Sequence, residues 1–338
     1  MDIERQLNLG RTILLAACCA AGLWRLEGRA VAAPKSTTKP VPKPAVPQTR
    51  VGDALPGKAL VVVNGVEITE AEVNRLMQTR RIPEAERPRL RRMFADQMID
   101  SRLIQGFLEA RDTRATKAEV DKQVEYVREF AKRQGDPDRI LSGYGYTPES
   151  LREEFAVPLA WQHHVRRIYT TKKLRDYFDE HRAEFDGTQV RARQILIKVP
   201  APQDPEKLKA ATEQLRQLRA EIIAEKTTFA AAAEAHSQAP SGEKGGDVGF
   251  FPFRGKMPPD LSRQAFALKV GEISEPFTSR FGVHLCEVTD RKPGDLSLED
   301  VREEVFNQVA QELWTKTAAD LRSTARIEWK VKLESPPP

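Results

Sequence analysis

The hydrophobic positions that follow residue 58 alternate briefly and then change to a helical spacing. Val61-Val62-Val63 and Val66-Glu67-Ile68 flank Asn64-Gly65, a pair that accepts positive φ, so this stretch predicts a small β-hairpin. Thr69 to Glu72 reads T-E-A-E, a capping box that begins a helix. The next apolar residues recur largely at helical spacing: Leu90, Phe94, Met98, Ile104, Phe107 and Leu108.

Two further start signals divide the helical region that follows. Thr116 to Glu119 reads T-K-A-E and predicts the start of a helix that carries Val120, Val124 and Val127. Thr147-Pro148-Glu149 predicts a third start, with proline at the favoured first helical position. Another helix is predicted from about Thr171. Residues 59–187 are therefore predicted to be mostly α-helical behind a short hairpin.

The pattern becomes mixed over residues 188–292. Residues 190–199 predict a strand and residues 205–224 an amphipathic helix. Short helices are predicted at 229–236 and 260–268, and residues 283–288 predict a closing strand. Strands and helices are thus interleaved here, unlike in the helical region before it.

A last helix and strand are predicted near the C-terminus. Ser297 to Asp300 marks a helix start, and apolar residues then follow at four-residue steps: Val301, Val305, Val309 and Leu313. Residues 325–331 alternate like a strand. Such an apolar stripe needs a partner surface, so this helix is predicted to pack against another part of the chain.

Composition indicates a globular protein, and the distribution of charge argues against a nucleic-acid partner. Of 338 residues, 40% are hydrophobic and 30% are charged, with a formal net charge of +5. Residues 1–56 hold eight Lys or Arg against four acidic residues, which leaves 46 basic and 45 acidic residues in the rest. A near-neutral body has no electrostatic footprint for phosphate backbones. The sequence also contains no G-x-x-x-x-G-K-[ST] motif, so no nucleotide is expected.

The first 32 residues have the organisation of an export signal. Arg5 and Arg11 form a positive start, residues 12–24 are apolar, and Ala30-Val31-Ala32 is a small-x-small cleavage site. The apolar stretch is short for a bilayer span. These features predict export to the periplasm or cell envelope of a bacterium, with cleavage near Ala32.

Two alternatives for this leader stay open. Leu15-Ala16-Ala17-Cys18 matches a bacterial lipoprotein box, which would attach lipid to Cys18, and the leader could instead be retained. Membrane contact is therefore expected only through the leader or a lipid anchor. Residues 33–56 are rich in proline and dotted with lysine, which predicts an extended linker.

Cysteine and histidine positions predict neither a disulfide nor a metal site after the leader. Cys18 and Cys19 lie inside the leader, so Cys286 alone cannot form an intramolecular disulfide. Its alternating apolar surroundings indicate a core residue. Adjacent His163 and His164 on one helix point apart, and no carboxylate or cysteine spacing completes a ligand set with them. No cofactor is expected.

Four segments between residues 229 and 288 carry a family signature. They read F-A-A-A-A-E-A-H-S-Q, K-G-G-D-V-G-F-F, M-P-P-D-L-S-R-Q-A-F-A-L and F-T-S-R-F-G-V-H-L-C-E-V. In this order they resemble the parvulin family of peptidyl-prolyl cis-trans isomerases. The hairpin-then-helices order headed by V-V-V-N-G-V-E-I-T resembles the N-terminal chaperone module of SurA- and PrsA-type proteins.

The resemblance implies an α+β fold with one domain inserted in another. A mostly helical SurA-like chaperone module would occupy residues 57–187, and a parvulin domain of FKBP-like β-α-β type would occupy 188–292. The helix and strand at 293–332 would pack back on the N-terminal module. Residues 1–32 and 33–56 would be the signal peptide and the linker.

The resemblance also implies a site for an X-Pro peptide. Val248, Met257, Ser279 and His284 match the parvulin pattern in kind. Three positions depart from it: Gln194 stands where a histidine is usual, Ala239 where a cysteine or aspartate is usual, and Leu261 where a phenylalanine is usual. The implied catalytic residues are Gln194, Ser279 and His284. The implied substrate-binding residues are Val248, Met257, Leu261 and Phe266.

Three functions follow from this combination. The first is an exported holding chaperone that binds unfolded secreted or outer-membrane proteins, with isomerase activity weakened by the loss of the polar group at Ala239. The second is a fully active isomerase with a minor chaperone role. The third is a non-catalytic docking protein of the envelope. Unfolded or nascent exported polypeptides and their X-Pro segments are the expected partners.

Overall fold

The structure, a computed structural model, describes residues 57–199 and 204–333. The predicted signal peptide, the Cys18 lipidation site and the proline-rich linker lie outside these residues. The chain divides into two compact units, one made of the residues up to Thr170 and from Asn307, the other of Thr171–Phe306. Among the described residues, no helix has both the length and the apolar character needed to cross a bilayer.

The first unit combines a small sheet with helices. Strands β1 (Ala59–Val63), β2 (Val66–Thr69) and β7 (Ile327–Trp329) lie in the order β2-β1-β7. The helices are α1 (Glu70–Thr79), α2 (Arg87–Glu109), α3 (Lys117–Lys132), α4 (Pro137–Gly143), α5 (Pro148–Ile168) and, from Asn307 onward, α11 (Leu298–Thr324).

Local signals set the start of the first unit as predicted. Asn64 and Gly65 have φ values of 50° and 86° and turn the chain between β1 and β2. The capping boxes at Thr69 and Thr116 are both formed, with the threonine hydroxyl accepting from the backbone of the glutamate three residues later. The hairpin and these helix starts are therefore confirmed. The short helix α4 was not predicted; Asp136 caps it and Pro137 begins it.

The C-terminal strand completes the first sheet. β7 runs antiparallel to β1, with Val61 opposite Trp329 and Val63 opposite Ile327. The α11 residue Arg322 reaches α2, where it contacts Asp96 and Asp100. The predicted return of a C-terminal helix and strand to the N-terminal module is therefore present, although the strand is shorter than the predicted 325–331.

Two apolar clusters hold the first unit. One packs the sheet against α1 and α2 and includes Leu60, Val61, Val63, Ile68, Val73, Met77, Phe94, Ala95, Ile99 and Leu103. The other joins α3, α4 and α5 through Val120, Val124, Val127, Ala131, Leu141, Tyr144, Tyr146, Leu151, Phe155 and Leu159. Phe94, Val120, Val124 and Val127 belong to the helical spacing predicted from the sequence. Burial of such faces stabilises helices that are marginal alone.

The second unit is built on a four-stranded antiparallel sheet in the order β4-β3-β6-β5. Its strands are β3 (Gln189–Lys198), β4 (Asp247–Pro252), β5 (Phe277–Ser279) and β6 (Gly282–Lys292). Its helices are α6 (Thr171–Glu180), α7 (Arg182–Phe185), α8 (Pro205–Ile223), α9 (Phe229–His236) and α10 (Pro259–Ala267), followed by the first part of α11.

The two faces of this sheet are covered by different helices. Ile195, Val283 and Leu285 pack with α8 and α9, whereas Val190 and Val288 pack with Ala265 of α10. Successive strand residues point to opposite faces, so His284 and Cys286 lie on the α10 side. This alternation decides which strand side chains can meet at a site.

The predicted α+β fold class is confirmed by these two units. Two strands of this sheet were given no bounds from the sequence, β4 and β5. β5 is three residues long and forms a hairpin with β6, in which Ser279 lies opposite Gly282. Three residues carry no measurable alternation, so only the pairing identifies the strand. The predicted domain limits at 188 and 292 stay a prediction.

Candidate functional site

The imidazole of His284 lies at the centre of the candidate site, buried in the middle of β6 with 2% of its surface exposed. Its Nε2 lies 2.6 Å from the Oγ of Ser279 on β5. Its Nδ1 lies 3.3 Å from the Oε1 of Gln194 on β3. The three predicted catalytic residues are therefore brought together from three neighbouring strands.

Burial keeps His284 uncharged. Desolvation lowers its pKa from 6.5 to about 4, while the negative charge of Asp260 on α10 raises it by a smaller amount. At neutral pH the ring is therefore neutral, and one ring nitrogen donates while the other accepts. A neutral imidazole between a hydroxyl and an amide can order a hydrogen-bond chain but does not supply a positive charge.

Phe277 is a site residue that the sequence reading missed. In the β5–β6 ladder it lies opposite His284, and residues opposite one another in an antiparallel pair share a face. The two rings stack with centroids 5.3 Å apart and planes inclined by 11°. Phe277 begins the F-T-S-R-F segment, seven residues before His284. Its place beside His284 follows only from the pairing of β5 with β6.

The backbone around Gln194 is held by a glycine turn. Gln194 N–H donates to the carbonyl of Gly246 at 2.9 Å. Gly246 has φ of +81°, and a Cβ there would lie 2.6 Å from the carbonyl oxygen of Gln194. Asp247, next in the turn, pairs with Arg191 and accepts from the N–H of Gly249, so it braces the turn.

Three of the predicted substrate-binding residues form one apolar group. Val248, Met257 and Phe266 are half-buried and pack against the same cluster on the α10 side of the sheet. Phe253 adds an edge-on contact to Phe266, with centroids 5.1 Å apart. Half-buried side chains keep surface for a ligand, so this group can hold an apolar ring such as that of proline.

Leu261 differs from the other predicted binding residues. It lies in α10 with 1% of its surface exposed. A side chain this deeply packed presents almost no surface to a ligand. Its assignment as a substrate-binding residue stays a prediction.

Ala239 lies close to the strand position that pairs with His284. Leu196 is the β3 partner of His284; its N–H donates to the Oγ of Ser237 and its carbonyl accepts from the N–H of Gln238. Ala239 follows directly and is 8% exposed. Its methyl group supplies neither a charge nor a hydrogen bond where a carboxylate or thiol is usual in parvulins.

A cleft lies elsewhere, in the first unit. It has a volume of about 830 Å³ and opens between α3, α4 and α5. Val124, Leu141, Tyr146 and Leu151 give it apolar lining, and charged residues of both signs surround it. None of the residues predicted for the site around His284 lines this cleft.

The remaining histidines of α5 point apart as predicted. His163 contacts Glu119 and the carbonyl of Arg114. His164 packs against the rings of Phe107 and Trp161. Burial, followed by the charges of Arg111 and Arg167, lowers the pKa of His164. Both histidines thus have structural surroundings.

Comparison with known proteins gives a family for the second unit and relatives for the chain. Residues 195–290 match the family model described as a rotamase, PPIC-type PPIASE domain. A SurA chaperone from Albidiferax ferrireducens is 37% identical over 154 residues, which cover 44% of this chain and 32% of that protein. The foldase protein PrsA from Halalkalibacterium halodurans is 29% identical over 266 residues, covering 76% of this chain and 71% of PrsA.

A solved structure is similar as well. The PrsA peptidylprolyl isomerase from Bacillus anthracis has 21% sequence identity and a TM-score of 0.40, covering 71% of this chain and 98% of that chain. The match to SurA spans about a third of the length of those relatives. Residues 195–290 therefore match the PPIC-type parvulin domain, and the chain is similar in sequence to SurA chaperones and PrsA foldases.

Proposed function

We propose that the chain is an exported folding factor that binds unfolded or nascent polypeptides and acts on their X-Pro bonds with weakened isomerase activity. The observation that carries this proposal is the buried contact of His284 with both Ser279 and Gln194 inside a domain that matches the parvulin model. Export to a bacterial periplasm or envelope, and the lipid anchor at Cys18 as its alternative, rest on residues 1–32 and on the kinship with SurA and PrsA.

X-Pro isomerisation needs no acid or base. Rotation about the peptide bond crosses a barrier of about 20 kcal/mol and takes tens of seconds unaided. A catalyst gains by holding the twisted amide better than either planar form. In this proposal Val248, Met257 and Phe266 hold the proline ring, while the neutral His284 and its partners order the polar side of the site.

The weakened activity rests on Ala239. An ionised or polarisable group near a twisting amide interacts strongly when water is excluded. Alanine removes that interaction, whereas Gln194 keeps the hydrogen-bonding capacity of the histidine that is usual at its position. We therefore attribute the weakened isomerase activity to Ala239 rather than to Gln194.

Exchange NMR on a short Ala-Pro peptide tests the isomerase part. The full chain is compared with an Ala239→Asp variant, and the expected result is a rate for the variant at least about tenfold above that of the wild type, equivalent to about 1.4 kcal/mol of barrier. Equal acceleration by both proteins would show that Ala239 is a tolerated replacement and that the chain is a full isomerase. No acceleration by either folded protein would reject isomerase activity.

The chaperone part has separate support in the first unit. The cleft between α3, α4 and α5 combines apolar lining with charges of both signs, which suits extended chains of mixed composition. We expect stoichiometric suppression of aggregation of a client that contains no proline. Absence of suppression would remove the chaperone role, and absence of binding to any unfolded peptide would favour a docking protein of the envelope.

A further inference from the structure

The two partners of His284 differ in the hydrogen bonds that they can make with an imidazole. Gln194 presents its carbonyl oxygen Oε1 to Nδ1, and a carbonyl oxygen only accepts. Ser279 presents a hydroxyl to Nε2, and a hydroxyl either donates or accepts. The glutamine is thus the partner that discriminates between the two neutral forms of the ring.

We propose that Gln194 is a positioning residue that sets the tautomer of His284, so that Nδ1 carries the ring proton and Nε2 accepts the hydroxyl proton of Ser279. Which ring nitrogen is protonated follows from the hydrogen bond that the other nitrogen makes. A free histidine side chain in water favours the opposite form, with the proton on Nε2. The site would therefore reverse the solution preference.

The hydrogen bond that Phe281 makes to Ser279 agrees with this direction. The N–H of Phe281 donates to the Oγ of Ser279 at 3.0 Å. Ser279 thus accepts from the backbone while its own O–H donates to Nε2 of His284. Three donors then point the same way, from Phe281 through Ser279 and His284 to Gln194. Hydrogen bonds in such a series polarise one another.

The geometry restrains both the ring and the glutamine. Phe277 stacks on the imidazole with planes only 11° apart, which opposes rotation of the ring into other orientations. The backbone of Gln194 is held by its hydrogen bond to Gly246 at 2.9 Å. Its β3 position pairs with Cys286, two residues after His284 on the same face of the sheet.

The tautomer decides how the site presents its hydroxyl. With the proton on Nδ1, the hydroxyl proton of Ser279 is directed to His284. With the proton on Nε2, the ring would donate to Ser279 and that hydroxyl proton would be directed elsewhere. Gln194 would thus control whether the Ser279 hydroxyl on β5 donates to His284 or accepts from it. The consequence for catalysis rests on the proposed isomerase function, whereas the tautomer itself does not.

Long-range proton–nitrogen NMR of the full chain, labelled at histidine nitrogen, tests the proposal at pH 7.5. The His284 signals are assigned by their absence from a His284→Gln variant. We expect protonated Nδ1 in the wild type, and loss of that form in Gln194→Leu, which removes the Oε1 acceptor from Nδ1. Gln238→Leu is the matched control, because Gln238 lies in the same unit and accepts from Lys198 N–H without contacting His284.

A Gln194→Glu variant keeps the proposal testable if Gln194→Leu does not fold. Its carboxylate still accepts from Nδ1 and should raise the pKa of His284, to which Asp260 is the charged neighbour. Protonated Nε2 in the wild type, or unchanged protonated Nδ1 in Gln194→Leu, would overturn the proposal.

Peptide exchange by Gln194→Leu supplies the catalytic readout, with about a fivefold lower rate expected from loss of one oriented hydrogen bond. An inert wild type with protonated Nδ1 would reject the isomerase function and leave the assignment of the tautomer standing.

Discussion

The indole Nε1 of Trp161 on α5 donates a hydrogen bond to the carbonyl oxygen of Ala310 on α11 at 3.0 Å. These residues are 149 positions apart in sequence. Trp161 is 3% exposed, and the ring of Trp314 meets it edge-on with centroids 5.3 Å apart. This contact joins the C-terminal part of α11 to α5 within the first unit.

We expect Trp161→Phe to lower the free energy of unfolding by about 1–2 kcal/mol, because it removes a buried donor while keeping an aromatic ring. Trp161→Ala should cost about 3–5 kcal/mol through the added cavity. Urea denaturation followed by circular dichroism measures both. Equal costs for the two variants would mean that packing of the ring contributes nothing beyond the hydrogen bond.

Acid should weaken the second unit through His284. Its folded pKa of about 4 lies below the unfolded value of 6.5, so the unfolded state binds the proton more tightly. The contribution of the neutral ring is complete above pH 6.5 and is lost as the pH falls from 6.5 to 4, by at most about 3 kcal/mol. Denaturation between pH 7.5 and 4.5 should show a steeper decline for the wild type than for His284→Gln.

A matched control for the acid effect is His236→Gln, since His236 is exposed at the end of α9. That variant should keep the slope of the wild type. The same slope in all three proteins would show that another group governs the decline.

The turn beside Gln194 should tolerate alanine at one glycine and reject it at the other. Gly246 and Gly249 both have positive φ, +81° and +70°. A Cβ on Gly246 would lie 2.6 Å from the carbonyl oxygen of Gln194, whereas a Cβ on Gly249 meets nothing within 4 Å. Gly249→Ala should therefore cost about 1–2 kcal/mol from backbone strain alone, and Gly246→Ala clearly more.

Thermal unfolding of the two variants measures this difference, and a spectrum of the native state checks that β3 and β4 still pair. Similar melting temperatures would contradict the close approach of the turn to β3. A larger loss in Gly249→Ala would reverse the expected order.

Cys286 should be unreactive while the protein is folded. It is fully buried in β6, and desolvation raises the pKa of its thiol to about 12. The thiolate is the reactive form, so a chain with Cys18→Ser and Cys19→Ser should release no thionitrobenzoate from Ellman's reagent at pH 8. In urea one equivalent should react within minutes. Rapid reaction without urea would show that β6 opens readily.

Much of the architecture followed from short-range signals. The capping boxes at Thr69 and Thr116 and the Asn64-Gly65 turn act within a few residues, so their outcome could be predicted without knowing the fold. The bounds predicted for α9, 229–236, are those observed. The hydrophobic pattern supplied the other predicted strands and helices, and the family motifs supplied the candidate site residues.

The arrangement at His284 required long-range packing. Gln194 and His284 are 90 positions apart in sequence, and their contact depends on the β3–β6 register, in which a shift of one residue would turn every side chain to the other face. Phe277 entered the site for the same reason, through the pairing of a strand too short to be recognised by alternation. Leu261 was assigned from a motif to the binding wall, but helix packing leaves it 1% exposed.

Local chemistry thus specifies where strands, turns and helices begin, because caps and turns close within one helical turn or one hairpin. The sheet register and the helix that covers the sheet decide which side chains meet and how deeply each is buried. They therefore also decide whether the His284 ring stays neutral. Those contacts join residues that are distant in sequence. The loss of chain entropy on forming them is offset only when the whole sheet and its helices form together.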